Sequence, residues 1–68
     1  MGAQFVRAGK AGLIDYRIYN IDNVYTVYIK IDERKNPENP DVVEPVYSAF
    51  KSLPTLKEAD EYVEKLLK

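Results

Sequence analysis

Residues 13–31, LIDYRIYNIDNVYTVYIKI, decide the fold that this sequence predicts. β-Branched and aromatic side chains alternate with other residues on both sides of Asp22-Asn23, which is typical of two half-buried strands. Aspartate and asparagine tolerate positive φ, so a two-residue hairpin turn is predicted at this pair. That register gives one apolar face, on which the facing pairs are Ile18 with Val27, Tyr16 with Ile29, and Ile14 with Ile31.

The other face of the predicted hairpin carries charged and aromatic side chains. Its facing pairs are Arg17 with Tyr28, Tyr19 with Thr26, and Asp15 with Lys30. The last pair brings opposite charges together, which stabilises a sheet by about 0.2–1 kcal/mol. A four-residue turn would keep the same faces but separate these charges, so the tight turn is preferred. A slip by one residue would expose the apolar face and is excluded.

Two weaker strand patterns flank the hairpin. Residues 4–8 fit a short first strand, and the small, glycine-rich residues 8–12 predict a turn after it. Residues 42–50 are strand-like but contain Pro45, which has no N–H to donate, so we expect this strand at a sheet edge or beside a bulge. Val46 and Phe50 are expected to be buried.

The last part of the chain, residues 55–68, predicts an amphipathic helix. Its apolar residues recur at helical spacing: Leu56, Ala59, Val63, Leu66 and Leu67. Thr55 followed by Glu58 matches a capping box. The pattern Phe50-x-x-Leu53-x-x-Leu56-x-x-Ala59-x-x-Tyr62-x-x-x-Leu66 resembles the close of many small bacterial and phage proteins in which strands precede a helix. This resemblance implies no particular family and no activity.

Residues 32–41, DERKNPENPD, predict an exposed polar loop because each proline removes a backbone donor and restricts the residue before it. Residues 1–68 therefore form one predicted domain in the order β-β-β-β-α. The fold class is a small two-layer α+β sandwich, in which an antiparallel sheet of three or four strands is followed by one C-terminal helix.

The composition excludes several classes of function. With no cysteine and no histidine, the chain has no disulfide, no Cys/His zinc site and no His-based catalysis. We therefore expect a non-enzymatic protein without a metal or a cofactor. It has no apolar run of the length that a membrane span needs and no secretion signal, so the cytoplasm is the expected compartment.

A single helix covers only one face of a sheet, which leaves the second face for contacts. The hypothesis is that Arg17, Tyr19, Thr26, Tyr28 and Lys30 form a contact face for another protein or for a second copy, as a homodimer. Tyrosine is enriched at interfaces because it joins apolar area to a polar tip. The alternative without a binding role is that these tyrosines only stabilise the sheet through cross-strand contacts. A second alternative is a platform for single-stranded nucleic acid, although a net charge of -1 gives no basic surplus.

Overall fold

A computed structural model describes residues 2–66 and has one antiparallel sheet followed by one helix. The strands are β1 (Gln4–Ala11), β2 (Ile14–Ile21), β3 (Val24–Lys35) and β4 (Val43–Leu53), and the helix is α1 (Leu56–Lys65). The strand order in the sheet is β1-β2-β3-β4, so each strand pairs with its neighbour in sequence. The predicted α+β class and element order are confirmed, and the sheet has four strands.

The central hairpin of β2 and β3 has the predicted register. Asp22 and Asn23 have φ values of 52° and 66°, as a two-residue hairpin turn requires. Ile18 pairs with Val27 and Tyr16 pairs with Ile29, and these four side chains are buried. The pairing of β2 with β3 ends there. The predicted apolar pair of Ile14 and Ile31 is wrong, because Ile31 lies at a bulge and is 56% exposed.

The first strand is longer than the sequence indicates, and the turn predicted at residues 8–12 is wrong. β1 continues to Ala11, and the actual turn is Gly12-Leu13, where Gly12 has a φ of 66°. The hairpin predicted from residue 13 therefore begins one residue later, at Ile14. Gly9 lies within the strand opposite Tyr16, whose ring occupies the space above it. This glycine serves close packing instead of a turn.

β3 and β4 extend beyond the rest of the sheet as a two-stranded ribbon. In this ribbon, residues 32–35 of β3 pair with residues 43–46 of β4, and all but one of these side chains are exposed. The predicted loop 32–41 is thus too long at its start, and the connecting loop is residues 36–42. Strand pairing satisfies the hydrogen bonds of the ribbon's backbone without burying its side chains. Because no apolar face is needed, the sequence of the ribbon is polar and lacks the alternation that indicates a strand.

β4 is an edge strand, as Pro45 predicts, but it runs to Leu53 instead of ending at residue 50. The expected burial of Phe50 is wrong, because its side chain is 52% exposed. Phe50 is the extra residue of a β-bulge, where the pairing passes from Val27–Lys51 to Tyr28–Ala49. Val46 is half-buried.

α1 packs on one face of the sheet and completes the core. The core side chains are Ala11, Tyr16, Ile18, Val27, Ile29, Ala59 and Val63. Thr55 is the N-cap, and its hydroxyl accepts a hydrogen bond from the Glu58 N–H at 3.2 Å. The helix predicted for residues 55–68 has its last residue at Lys65, and residues 67 and 68 lie outside the described part of the chain.

The described chain is thin, with extents of 39 × 34 × 15 Å. Its radius of gyration of 13.3 Å exceeds the ~11 Å expected for a compact chain of this length. One helix and one sheet account for the short dimension, so no second layer from residues 2–66 covers the sheet face opposite α1. No helix among residues 2–66 is long and apolar enough to span a membrane.

Candidate interaction face

The sheet face opposite α1, called the open face below, brings together most of the predicted contact residues and two that the prediction missed. Alternation along β2 and β3 directs Arg17, Tyr19, Tyr28 and Lys30 away from the core. β1 adds Phe5, which pairs with Tyr19, and β4 adds Tyr47, which pairs with Lys30. The open face is defined by these six residues: Phe5, Arg17, Tyr19, Tyr28, Lys30 and Tyr47.

Three aromatic rings cross the open face in a row. The centroids of Phe5 and Tyr19 are 5.6 Å apart at an interplanar angle of 72°, and those of Tyr19 and Tyr28 are 5.4 Å apart at 81°. Both are edge-to-face contacts, which stabilise a protein by about 0.5–1.5 kcal/mol beyond the area buried. The row also fixes the rings, so a partner would meet an ordered surface.

Arg17 lies at the centre of this face, against the ring of Tyr47. Its guanidinium carbon is 4.2 Å from the ring centroid of Tyr47, a cation–π contact. The ion pairs found among residues 2–66 do not include Arg17. A half-buried guanidinium with its charge unpaired can bind a carboxylate or a phosphate group.

Lys30, in contrast, is occupied by carboxylates of its own chain. Its Nζ is 2.7 Å from Glu33 Oε2 and 4.0 Å from Asp15 Oδ2. The predicted charge pair with Asp15 is thus present as a long ion pair, although the strand pairing itself ends one residue earlier, at Tyr16 and Ile29. Asp15 is also 3.7 Å from Lys10. The hydrogen bond that Lys30 donates to Glu33 raises the pKa of the lysine above its ordinary value. Lys30 is therefore less available to a partner than Arg17.

Thr26 belongs to the predicted contact face but presents almost no surface to a partner. It is 6% exposed, and its hydroxyl is 3.1 Å from that of Ser52 on β4. This contact with Ser52 helps to hold β4 against β3 beneath the aromatic rings.

A shallow cleft of about 250 Å³ opens among Ala3, Arg17, Tyr19, Tyr28 and Tyr47. The hydroxyl groups of its three tyrosines make no hydrogen bond with the described part of the chain. The cleft thus offers apolar ring surface, hydroxyl groups and one unpaired cation within a single recess.

The sequence prediction missed Tyr47 and Phe5 for different reasons. Tyr47 faces Lys30 only because the bulge at Phe50 shifts the alternation of β4. Phe5 lies on a strand with a bulge of its own between Phe5 and Arg7. An aromatic side chain in the predicted first strand was the available signal.

No group of three or more acidic side chains placed to hold a metal ion occurs among residues 2–66. No known family model matches the chain, and no curated protein or solved structure matches it significantly.

Proposed function

We propose that this protein is a small interaction module that binds another protein, or a second copy of itself, through the open face. The observation that carries the proposal is Arg17, a half-buried cation that rests on Tyr47 beside two further tyrosines. Within residues 2–66 it has no ion-pair partner, and no second layer covers its face. Tyr and Arg are the residues that most often dominate binding energy at protein interfaces. We place this accessory role in the cytoplasm.

Contact is favoured over catalysis by the chemistry of the chain. It has no histidine or cysteine, and the carboxylates at the open face, Asp15 and Glu33, are paired with lysines. Hydroxyl nucleophiles would need a neighbouring base. The hydroxyl of Thr26, a buried polar side chain of the sheet, contacts that of Ser52 instead.

The second candidate function is binding of single-stranded nucleic acid, and the rings beside Arg17 are the observation that favours it. Such sites combine free ring faces with a track of basic residues. On the open face, however, Arg17 covers one face of the Tyr47 ring, and Lys10 and Lys30 are engaged by carboxylates. Protein contact therefore fits the face better.

The test is the variant Tyr28→Glu, which places a charge in the centre of the face without reaching the core. Association should be measured by light scattering, and heterologous partners by affinity capture with wild-type and variant bait. We expect Tyr28→Glu to lose the complex while circular dichroism shows a folded chain. Lys57→Glu, on the exposed side of α1, is the control and should bind as wild type. A complex that persists with Tyr28→Glu contradicts the proposal.

A further inference from the structure

We infer that the open face binds the loop at the end of the ribbon, residues 36–42, of a second copy of this chain. The inference rests on the proposed function and specifies the partner. It follows from the charges of the face and of the loop, from the shape of the loop, and from the distance between them in one molecule.

The loop carries the charge that the open face lacks. Glu38 and Asp41 are exposed, and the ion pairs among residues 2–66 do not include either of them. The whole segment 32–44 has five acidic residues against two basic ones. A carboxylate from this loop can therefore pair with Arg17, whose guanidinium offers a planar set of donors suited to it.

The loop also presents apolar surface that can contact aromatic rings. Pro37 and Pro40 are exposed in a loop that is closed by turns, so both proline side chains can pack on aromatic rings. The cleft supplies such rings from Tyr19, Tyr28 and Tyr47. Apolar ring surface would then meet the prolines while Arg17 meets the carboxylate.

The loop is ordered before it binds anything. The Asn36 side chain accepts hydrogen bonds from the N–H groups of Glu38, at 2.8 Å, and Asn39, at 3.3 Å, and donates one to Glu44 at 2.9 Å. The Asn36 N–H also donates to the carbonyl of Val42 at 2.9 Å. A preorganised loop loses little conformational entropy on docking, which favours affinity.

The loop cannot reach the open face of its own molecule. Tyr28 pairs with Arg17, and the loop begins eight residues further along β3 at Asn36. At ~3.3 Å per residue this is a separation of about 26 Å along a hydrogen-bonded ribbon. A second copy is therefore required to bring the loop to Arg17.

Packing two open faces directly against each other satisfies Arg17 less well. The carboxylates that a facing copy would offer are Asp15 and Glu33, and both already pair with lysines. A two-fold arrangement in which each loop covers the other copy's face pairs both arginines with unpaired carboxylates. Such an interface is closed and self-complementary, as in most homodimers.

The test uses two charge-reversed chains and their mixture. One carries Arg17→Glu, and the other carries Glu38→Arg with Asp41→Arg; Lys57→Glu is the control. Light scattering over a wide concentration range should show dimers of the wild type and of the control. The Kd for self-association of each charge-reversed chain should be at least about tenfold higher than that of the wild type. An equimolar mixture should recover the dimer, because each loop then meets a face of opposite charge. Arg17→Gln is a milder substitute should Arg17→Glu reduce folding by circular dichroism.

Four results would overturn this inference, and together they separate it from the proposed function. A wild-type chain that stays monomeric excludes the second copy as partner, while a heterologous complex lost in Tyr28→Glu would still support the open face. A dimer that depends on Tyr28 but not on Glu38 and Asp41 excludes the loop as the bound segment and leaves the open face as the interface. A dimer insensitive to both Tyr28 and the loop contradicts both proposals. Binding of a single-stranded oligonucleotide that needs Arg17 would assign the cleft to nucleic acid instead.

Discussion

The ring of Tyr16 lies directly over Gly9, its partner on β1, and fills the space that a side chain at Gly9 would need. A β-carbon at this position would be 2.9 Å from the Tyr16 hydroxyl oxygen and 3.1 Å from the ring carbon that bears it. The ring is buried in the core, so it cannot swing away without disturbing its neighbours. The pair explains why a glycine lies in the interior of an edge strand.

Gly9→Ala should therefore lower the free energy of unfolding. Overpacking costs about 1–3 kcal/mol, and the better strand propensity of alanine offsets about 0.5–1 kcal/mol of it. Urea denaturation would measure the net loss. Gly2→Ala is the matched control, because nothing lies within 4 Å of its β-carbon position. Combining Gly9→Ala with Tyr16→Phe removes the nearest atom and should recover part of the loss. A neutral Gly9→Ala would show that the ring moves freely.

The centre of the core depends on Ile18, which is 0% exposed. Ile18→Ala should cost about 2–5 kcal/mol by leaving a cavity. This is a large share of the about 3–10 kcal/mol expected for a domain of this length. Thermal unfolding should show a lower Tm or no cooperative transition. Leu13→Ala removes an apolar side chain that is 95% exposed and should leave the Tm unchanged. Equal effects of the two substitutions would contradict the assigned core.

The turn of the central hairpin makes a prediction at Asn23. Its φ of 66° is unfavourable for a β-branched residue, so Asn23→Val should destabilise the fold by about 1–2 kcal/mol. Asn23→Gly should be neutral or stabilising, because glycine adopts positive φ without strain. Asn39→Val, in the exposed loop where φ is not positive, is the control and should change stability by less than about 0.5 kcal/mol. Chemical denaturation of the three variants ranks them directly.

Arg17 should matter more for association than for folding. Its contact with Tyr47 stabilises the fold by about 0.5–1 kcal/mol, and it has no ion pair within residues 2–66 to lose. The free energy of unfolding of Arg17→Met should thus lie within about 1 kcal/mol of the wild-type value, while the affinity of the complex falls. Lys57→Met is the control for loss of one positive charge. A variant that unfolds much more easily would make Arg17 a structural residue.

The charge of Lys30 gives a prediction about pH. The hydrogen bond to Glu33 is the main cause of its raised pKa, and Asp15 contributes less. Glu33→Gln should lower the pKa of Lys30 more than Asp15→Asn does, as measured by NMR titration of the lysine side chain. Because the folded pKa is raised, the contribution of this group to stability is complete at neutral pH and is lost above pH ~10.5. A larger effect of Asp15→Asn would reverse the assigned order of the two partners.

The parts of the fold that follow local rules could be predicted from the sequence. Alternation around Asp22-Asn23 determines the central register, and helical spacing after Thr55 determines α1. The bulges at Ile31 and Phe50 could not be predicted, because one extra residue in a strand changes which side chains face the core while leaving the local composition ordinary. The ribbon was missed because its strands pair without burying apolar residues.

The same reasons limit prediction of the candidate site. Arg17, Tyr19 and Tyr28 lie on strands whose register the turn determines, so their common face follows from the sequence. Tyr47 reaches this face only through a bulge. The engagement of Lys30 depends on Glu33, which lies three residues along the same strand and beyond the end of the central pairing.

The strand order has a consequence for the rate of folding. Each ladder of the sheet joins strands that are adjacent in sequence, two of them across two-residue turns and the third across residues 36–42. Closing a short loop costs little chain entropy. Folding rates fall as the contacting residues become more distant along the chain. The strand pairs can therefore form in succession, starting at the Asp22-Asn23 turn and adding one hairpin at a time. We expect the chain to refold faster than β-sandwiches of comparable stability, whose strands pair across long stretches of sequence.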